Sequence, residues 1–134
     1  MGVRYEWADE HQIIVNISLE APWTWQEYHE VTGRLMAEIR EANRLCATVV
    51  DVRRMGSFPR DGNIIQILLN VDKAMPETVF ASAIVGTPYG VMVFMNMLTK
   101  LSSHAKRMAI FTQSLEEAHE AVLARYQELQ QKKG

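Results

Sequence analysis

The sequence predicts a mixed α/β domain of the order β-β-α-β-α-β-α-β-α, in which a five-stranded sheet opened by an N-terminal hairpin alternates with four helices. Three observations carry that reading. Apolar and polar residues alternate through Gln12 to Leu19, the period of a half-buried strand. The runs Cys46–Val52 and Val79–Val85 are β-branched or small and too apolar to alternate, as strands covered on both faces are. Two capping boxes, Thr24-Trp25-Gln26-Glu27 and Ser114-Leu115-Glu116-Glu117, each open a stripe of helical period. At 134 residues the chain has the commonest domain size and is read as one domain over residues 1–134.

The first strand spans Val3–Ala8 and the second Gln12–Leu19, with Asp9-Glu10-His11 as the turn. In the second, Ile13, Val15, Ile17 and Leu19 form an apolar face, and Ile14, Asn16, Ser18 and Glu20 a mainly polar one. Pro22-Trp23 ends it, and a helix begins at Thr24. Trp25, Tyr28, Leu35, Met36 and Ile39 lie on one side of that helix, largely opposite Glu27, Glu30, Arg34, Glu38 and Glu41. Cys46–Val52 is the central strand and Met55–Gly62 a loop. Ile64, Ile65, Leu68 and Val71 give a second helical stripe that stops near Met75-Pro76, because proline disfavours helical geometry in the residue before it.

Val79–Val85 is followed by the Gly86-Thr87-Pro88 turn, which supplies an N-cap and a first-turn proline for a third helix over about Pro88–Ser103. Met108–Thr112 is the last strand. The fourth helix carries Leu115, Ala118, Val122, Tyr126 and Leu129 inward, and Gln130–Gly134 is expected to fray. Each helix between strands acts as a crossover and favours parallel pairing.

Composition excludes several classes of function. A net charge of -2 with 22% charged residues gives no electrostatic signal for nucleic acid. The single cysteine, Cys46, permits no intrachain disulfide and no paired zinc spacing, and at the head of a buried strand it reads as a small hydrophobe. No apolar run approaches the roughly 20 residues that span a bilayer, so a membrane-spanning protein is not expected. The N-terminus lacks the basic-then-apolar layout of a secretory signal, and a reducing cytoplasm is the expected compartment. The histidines, His11, His29, His104 and His119, fall in no HxH or HExxH pattern, and no GxSxG, GxxxxGK[ST] or GxGxxG motif occurs. Neither a cofactor nor a catalytic set is expected.

Three features remain as candidate sites. Arg53, Arg54 and Arg60 fall in the loop leading to the second helix, whose positive end could recruit a phosphate or an acidic partner, although solvated loop charge is the favoured reading. Asp61 would suit that helix as its cap. The strand-to-helix turn at Gly86-Thr87-Pro88-Tyr89-Gly90 offers backbone N–H groups to an anion, or is an ordinary turn. The third helix is apolar over more than one face. Phe94, Leu98, Leu101 and Ala105 make its core stripe, while Met92 and Val93 point away from it and need other cover. A neighbouring element of the domain, an apolar ligand or a second copy could each supply it.

The stretch Asp51-Val52-Arg53-Arg54-Met55-Gly56-Ser57-Phe58-Pro59-Arg60-Asp61-Gly62, together with the element order, resembles the STAS domains, named for sulfate transporters and anti-sigma-factor antagonists. That family's motif D-[LIV]-S-x-[VL]-x-F-[IVM]-D-S-[ST]-G runs from a strand end into a helix start and is recognised or phosphorylated at the hydroxyl residue before its glycine. Laid over this chain without gaps, the motif's first aspartate falls on Asp51 and its glycine on Gly62. Arg53 then stands for the first serine, Pro59 for the second aspartate, Arg60 for the next serine and Asp61 for the phosphorylatable residue. The resemblance therefore implies a divergent SpoIIAA-like module, unable to accept phosphate at that point and carrying constant negative charge instead.

The function expected from these readings is a non-catalytic regulatory module. It binds another protein, such as a regulatory kinase, a phosphatase or an anti-sigma-type factor, through Ser57–Gly62 and the adjoining helix. Asp51, Arg53, Arg54, Ser57, Arg60, Asp61, Gly62 and Thr87 are its candidate contacts. The alternative is a carrier or sensor for an apolar, lipid-like ligand, the same fold being shared with lipid-binding modules. Met92, Val93 and Met97 would line the ligand site or the contact of a weak homodimer.

Overall fold

A computed structural model describes residues 2–8, 13–63, 66, 67, 70, 73–86 and 109–133. They form a five-stranded mixed sheet in the order β1-β2-β3-β4-β5, made of β1 (Val3–Trp7), β2 (Ile14–Glu20), β3 (Cys46–Arg54), β4 (Val79–Val85) and β5 (Ala109–Thr112). β1 runs antiparallel to β2, and every later neighbour is parallel. Helix α1 (Trp25–Ala42) follows β2 and helix α2 (Leu115–Lys133) follows β5. Thus the mixed sheet, the hairpin pairing and two of the expected helices are present. The stripes expected at Ile64–Val71 and Pro88–Ser103 lie largely or wholly outside the described residues, as do the Asp9-Glu10-His11 turn and Met108.

The two helices cover opposite faces, because β3 has no polar side to leave open. Cys46 and Val52 turn toward α1, and Ala47 and Val49 toward α2, all of them buried. On the first face Leu35, Met36 and Ile39 of α1 pack on Val15, Ile17 and Val79. On the second, Ala118 and Val122 of α2 settle over Ala47, Val49, Ala81, Ala83 and Val85. Alanines under a helix let it approach the sheet closely. At the head of β4 a register shift sets Cys46 beside Val79 but Ala47 beside Ala81. The additional residue, Phe80, also faces α2, where its ring lies 5.7 Å from that of Tyr126.

The structure corrects four expectations. The non-apolar face of β2 is not open to solvent: Ile14 is buried under α2, and Asn16 Oδ1 lies 2.9 Å from Nε2 of His119. Both capping boxes form only in part as expected. Thr24 Oγ1 accepts the Glu27 N–H at 3.0 Å, but the Glu27 carboxylate takes the N–H of Gly2, tying the start of β1 to α1. Ser114 Oγ accepts the Glu117 N–H, and Glu117 Oε2 that of Gln113, one residue before the cap. Arg53 and Arg54 are the last residues of β3 rather than loop. The final helix continues through Lys133.

No helix among the described residues is long and apolar enough to cross a membrane. Leu35, between α1 and the sheet, is the largest fully buried side chain among the described residues. Leu35→Ala should cost about 2–5 kcal/mol of stability, read as a fall in urea midpoint at unchanged slope.

Candidate functional site

The parallel strands end on one side of the sheet, and the chain leaving β3 turns there across the start of α1. Two tryptophans fix its path. Trp23 Nε1 donates to the carbonyl of Met55 at 2.8 Å, and Trp25 Nε1 to that of Pro59 at 3.0 Å. Indoles keep their apolar area buried while their one N–H finds an acceptor, so each clamps backbone without leaving a buried donor unpaired. Phe58 stacks on Trp25 with centroids 6.0 Å apart and planes 7° from parallel, and Trp23 meets both rings edge-on. Tyr28 closes the cluster against Trp25 at 5.6 Å.

The segment is fixed at both ends as well. The Ala21 N–H donates to the Arg54 carbonyl at 2.9 Å, and Gly56 then reverses the chain at φ +66. At the far end Gly62 runs close to the cluster: a Cβ there would fall 2.7 Å from Ile67 Cδ1 and 3.1 Å from Trp25 Cδ1, so a larger residue would push the Ile67 tip aside. Between these anchors Ser57, Arg60 and Asp61 are exposed. Asp61 is not the cap of the following turn. Asn63 is: its Oδ1 accepts the Gln66 N–H at 3.2 Å, and its carbonyl the Ile67 N–H. The Asn63-x-x-Gln66 spacing was available in the sequence as a further cap signal.

The candidate arginines separate into different roles. Arg53 grips its own strand, with Nε on Asp51 Oδ1 at 2.9 Å, Nη2 on Oδ2 at 2.8 Å and its backbone N–H also on Oδ1. A bidentate pair of this kind is the stronger sort of surface ion pair. It holds the Asp51 carboxyl below the usual range, chiefly through the guanidinium hydrogen bonds. The Arg53 stem lies over Gly86, where φ is +77 and a Cβ would meet Arg53 Cγ at 2.1 Å. Asp51 thus takes the Nε side of the guanidinium and neutralises its charge, which weakens Arg53 as an anion site. Arg54 and Arg60 are exposed, and neither belongs to an ion pair among the described residues.

Thr87, Met92, Val93 and Met97, candidates from the sequence, lie outside the described residues. Cys46 is 2% exposed, and burial pushes its thiol up to about 11, which suits a packed side chain and not a nucleophile. Residues unassigned from the sequence do most to shape the site: Trp23, Trp25 and Phe58. The Trp23-Thr24-Trp25 spacing beside a loop containing Phe58-Pro59 was the available sign of them. Comparison with protein-family models, curated proteins and solved structures returns no match.

Because the folded state lowers the Asp51 pKa, the ion pair stabilises the fold above the ordinary carboxyl value of 3.8. That contribution is lost as pH falls through the lower, folded value. Thermal unfolding of wild type and Asp51→Asn should differ by a constant amount above about pH 5, and the gap should close as the solution is acidified below 3.8. A gap independent of pH would show that the carboxylate charge is not the stabilising element.

Proposed function

We propose that the chain is a divergent STAS-like regulatory module, non-catalytic, that binds another protein through the ridge Ser57–Gly62. The observation that carries this reading is the pair of tryptophan clamps. A loop held at Met55 and Pro59 and backed by stacked rings presents Ser57, Arg60 and Asp61 in one arrangement. Such a surface pays little ordering entropy when a partner docks. Asp61, at the position where the STAS motif is phosphorylated, is exposed and carries permanent charge, so recognition here would be constitutive.

The element order supports the same reading. Parallel pairing of β3 with β4 and of β4 with β5 requires crossover connections, and the helical stripes of the sequence fall in those two intervals. With them the order becomes β-β-α-β-α-β-α-β-α, that of a four-helix SpoIIAA-like domain. The partner would be of the regulatory kinase, phosphatase or anti-sigma type, and its contact would include groups complementary to a neighbouring arginine and aspartate.

A photo-crosslinking residue placed at Ser57 in cells should capture one discrete protein. Arg60→Glu combined with Asp61→Lys should remove that capture by at least about tenfold, in keeping with loss of central charged contacts. Glu120→Lys, on the far face of α2, should leave it unchanged. Native mass spectrometry of the purified chain is the counter-test: a co-purifying apolar molecule without any crosslink would favour the lipid-like carrier over the protein-binding module.

A further inference from the structure

β1 ends the sheet on one side, and its backbone faces in two directions. The Glu20 N–H donates to the Gly2 carbonyl at 2.6 Å and the Ala8 N–H to that of Ile14 at 2.8 Å. Hydrogen-bonded pairs alternate along an antiparallel ladder. Gly2, Arg4, Glu6 and Ala8 therefore turn toward β2, and Val3, Tyr5 and Trp7 turn their N–H and C=O groups away from it. Among the described residues no backbone hydrogen bond reaches those outward groups. An open edge of this kind is usually blunted by charge, proline or a bulge. Here the two exposed residues are Arg4 and Glu6, of opposite sign.

We infer that β1 is a self-complementary edge at which a second copy of this chain adds antiparallel, joining two five-stranded sheets into one. The charge pattern selects the arrangement. A two-fold axis at Tyr5 sets Arg4 of each copy across from Glu6 of the other and pairs every outward N–H and C=O of Val3, Tyr5 and Trp7. A two-fold axis at Arg4 or at Glu6 would set like charges face to face, which is destabilising, and parallel addition in register would do the same. Opposite signs spaced two residues apart thus specify one register instead of blocking them all.

The strand is also ready for pairing before a partner arrives. Gly2 is held by the Glu27 carboxylate at 3.1 Å, and a Cβ there would lie 2.3 Å from the Glu20 carbonyl oxygen. Tyr5 is anchored through its hydroxyl to Glu38. At the other end of the strand Trp7 packs against the α1 cluster, and its Nε1 is buried with no hydrogen-bond partner among the described residues. The contact involves none of the residues of the Ser57–Gly62 ridge, so its failure would leave the proposed function untouched.

Charge reversal gives a direct test by sedimentation velocity at about 100 μM, a range in which weak dimers are visible. Wild type should sediment as a dimer. Arg4→Glu and Glu6→Arg should each weaken self-association at least about tenfold, with melting temperatures close to wild type because both side chains are exposed. An equimolar mixture of the two variants should recover the dimer, since each supplies the charges the other lacks. Amide exchange of Tyr5 and Trp7 should slow as protein concentration rises, while that of Arg4 and Glu6 should stay protected throughout. A monomeric wild type would overturn the inference. So would a dimer that survives both reversals, or one that leaves Tyr5 and Trp7 exchange independent of concentration.

Discussion

The double burial of β3 is the constraint on which the rest depends. A strand whose neighbouring residues Cys46, Ala47, Val49 and Val52 are all buried cannot sit at a solvated sheet face. It must be central, and it must be covered twice. That places α1 on one side and α2 on the other, and it makes β2 and β4 its parallel neighbours. Two polar pairs enter this interior. Thr48 and Ser82 share a 2.7 Å hydrogen bond between β3 and β4, and Asn16 meets His119 across the gap between β2 and α2.

The segment after β3 is tied down close to that strand. The chain leaves the sheet and is clamped within a few residues by Trp23 and Trp25, both set by the turn out of β2 and the first residue of α1. Most exposed loops gain mobility from their distance to the core. This one lies against it through Met55, Phe58 and Pro59, while Ser57, Arg60 and Asp61 stand in solvent. Asp51 and Arg53 neutralise each other at the strand end, which leaves the free charge of the region on Arg54, Arg60 and Asp61.

Much of this was legible in the sequence where a residue pattern had one physical explanation. Val79–Val85 matches β4 at both bounds, and Thr24 and Ser114 accept the hydrogen bonds their capping boxes imply. The first turn of α1 could not be read completely, because Glu27 chooses between the N–H of its own cap and that of Gly2, a residue brought beside it only by the tertiary fold. Ile14 illustrates the same limit. Its alternation assigns it to a polar face, yet α2, roughly a hundred residues later, covers that face. At the site, arginine and aspartate positions were visible as charges, but the pairing of Arg53 with Asp51 depends on side-chain reach along one strand. The aromatic clamps needed a contact between segments some 30 residues apart, which periodicity does not report.

The hydrogen bonds of Trp23 and Trp25 to the Met55 and Pro59 carbonyls should hold the segment after β3 as firmly as the strand itself. Backbone 15N relaxation reads it directly. Order parameters of about 0.85 for the amides of Gly56–Gly62 other than Pro59, equal to those of β3, are the predicted result. Values below about 0.6 across Ser57–Asp61 would mean that the tryptophan hydrogen bonds do not hold the loop, and would contradict the account.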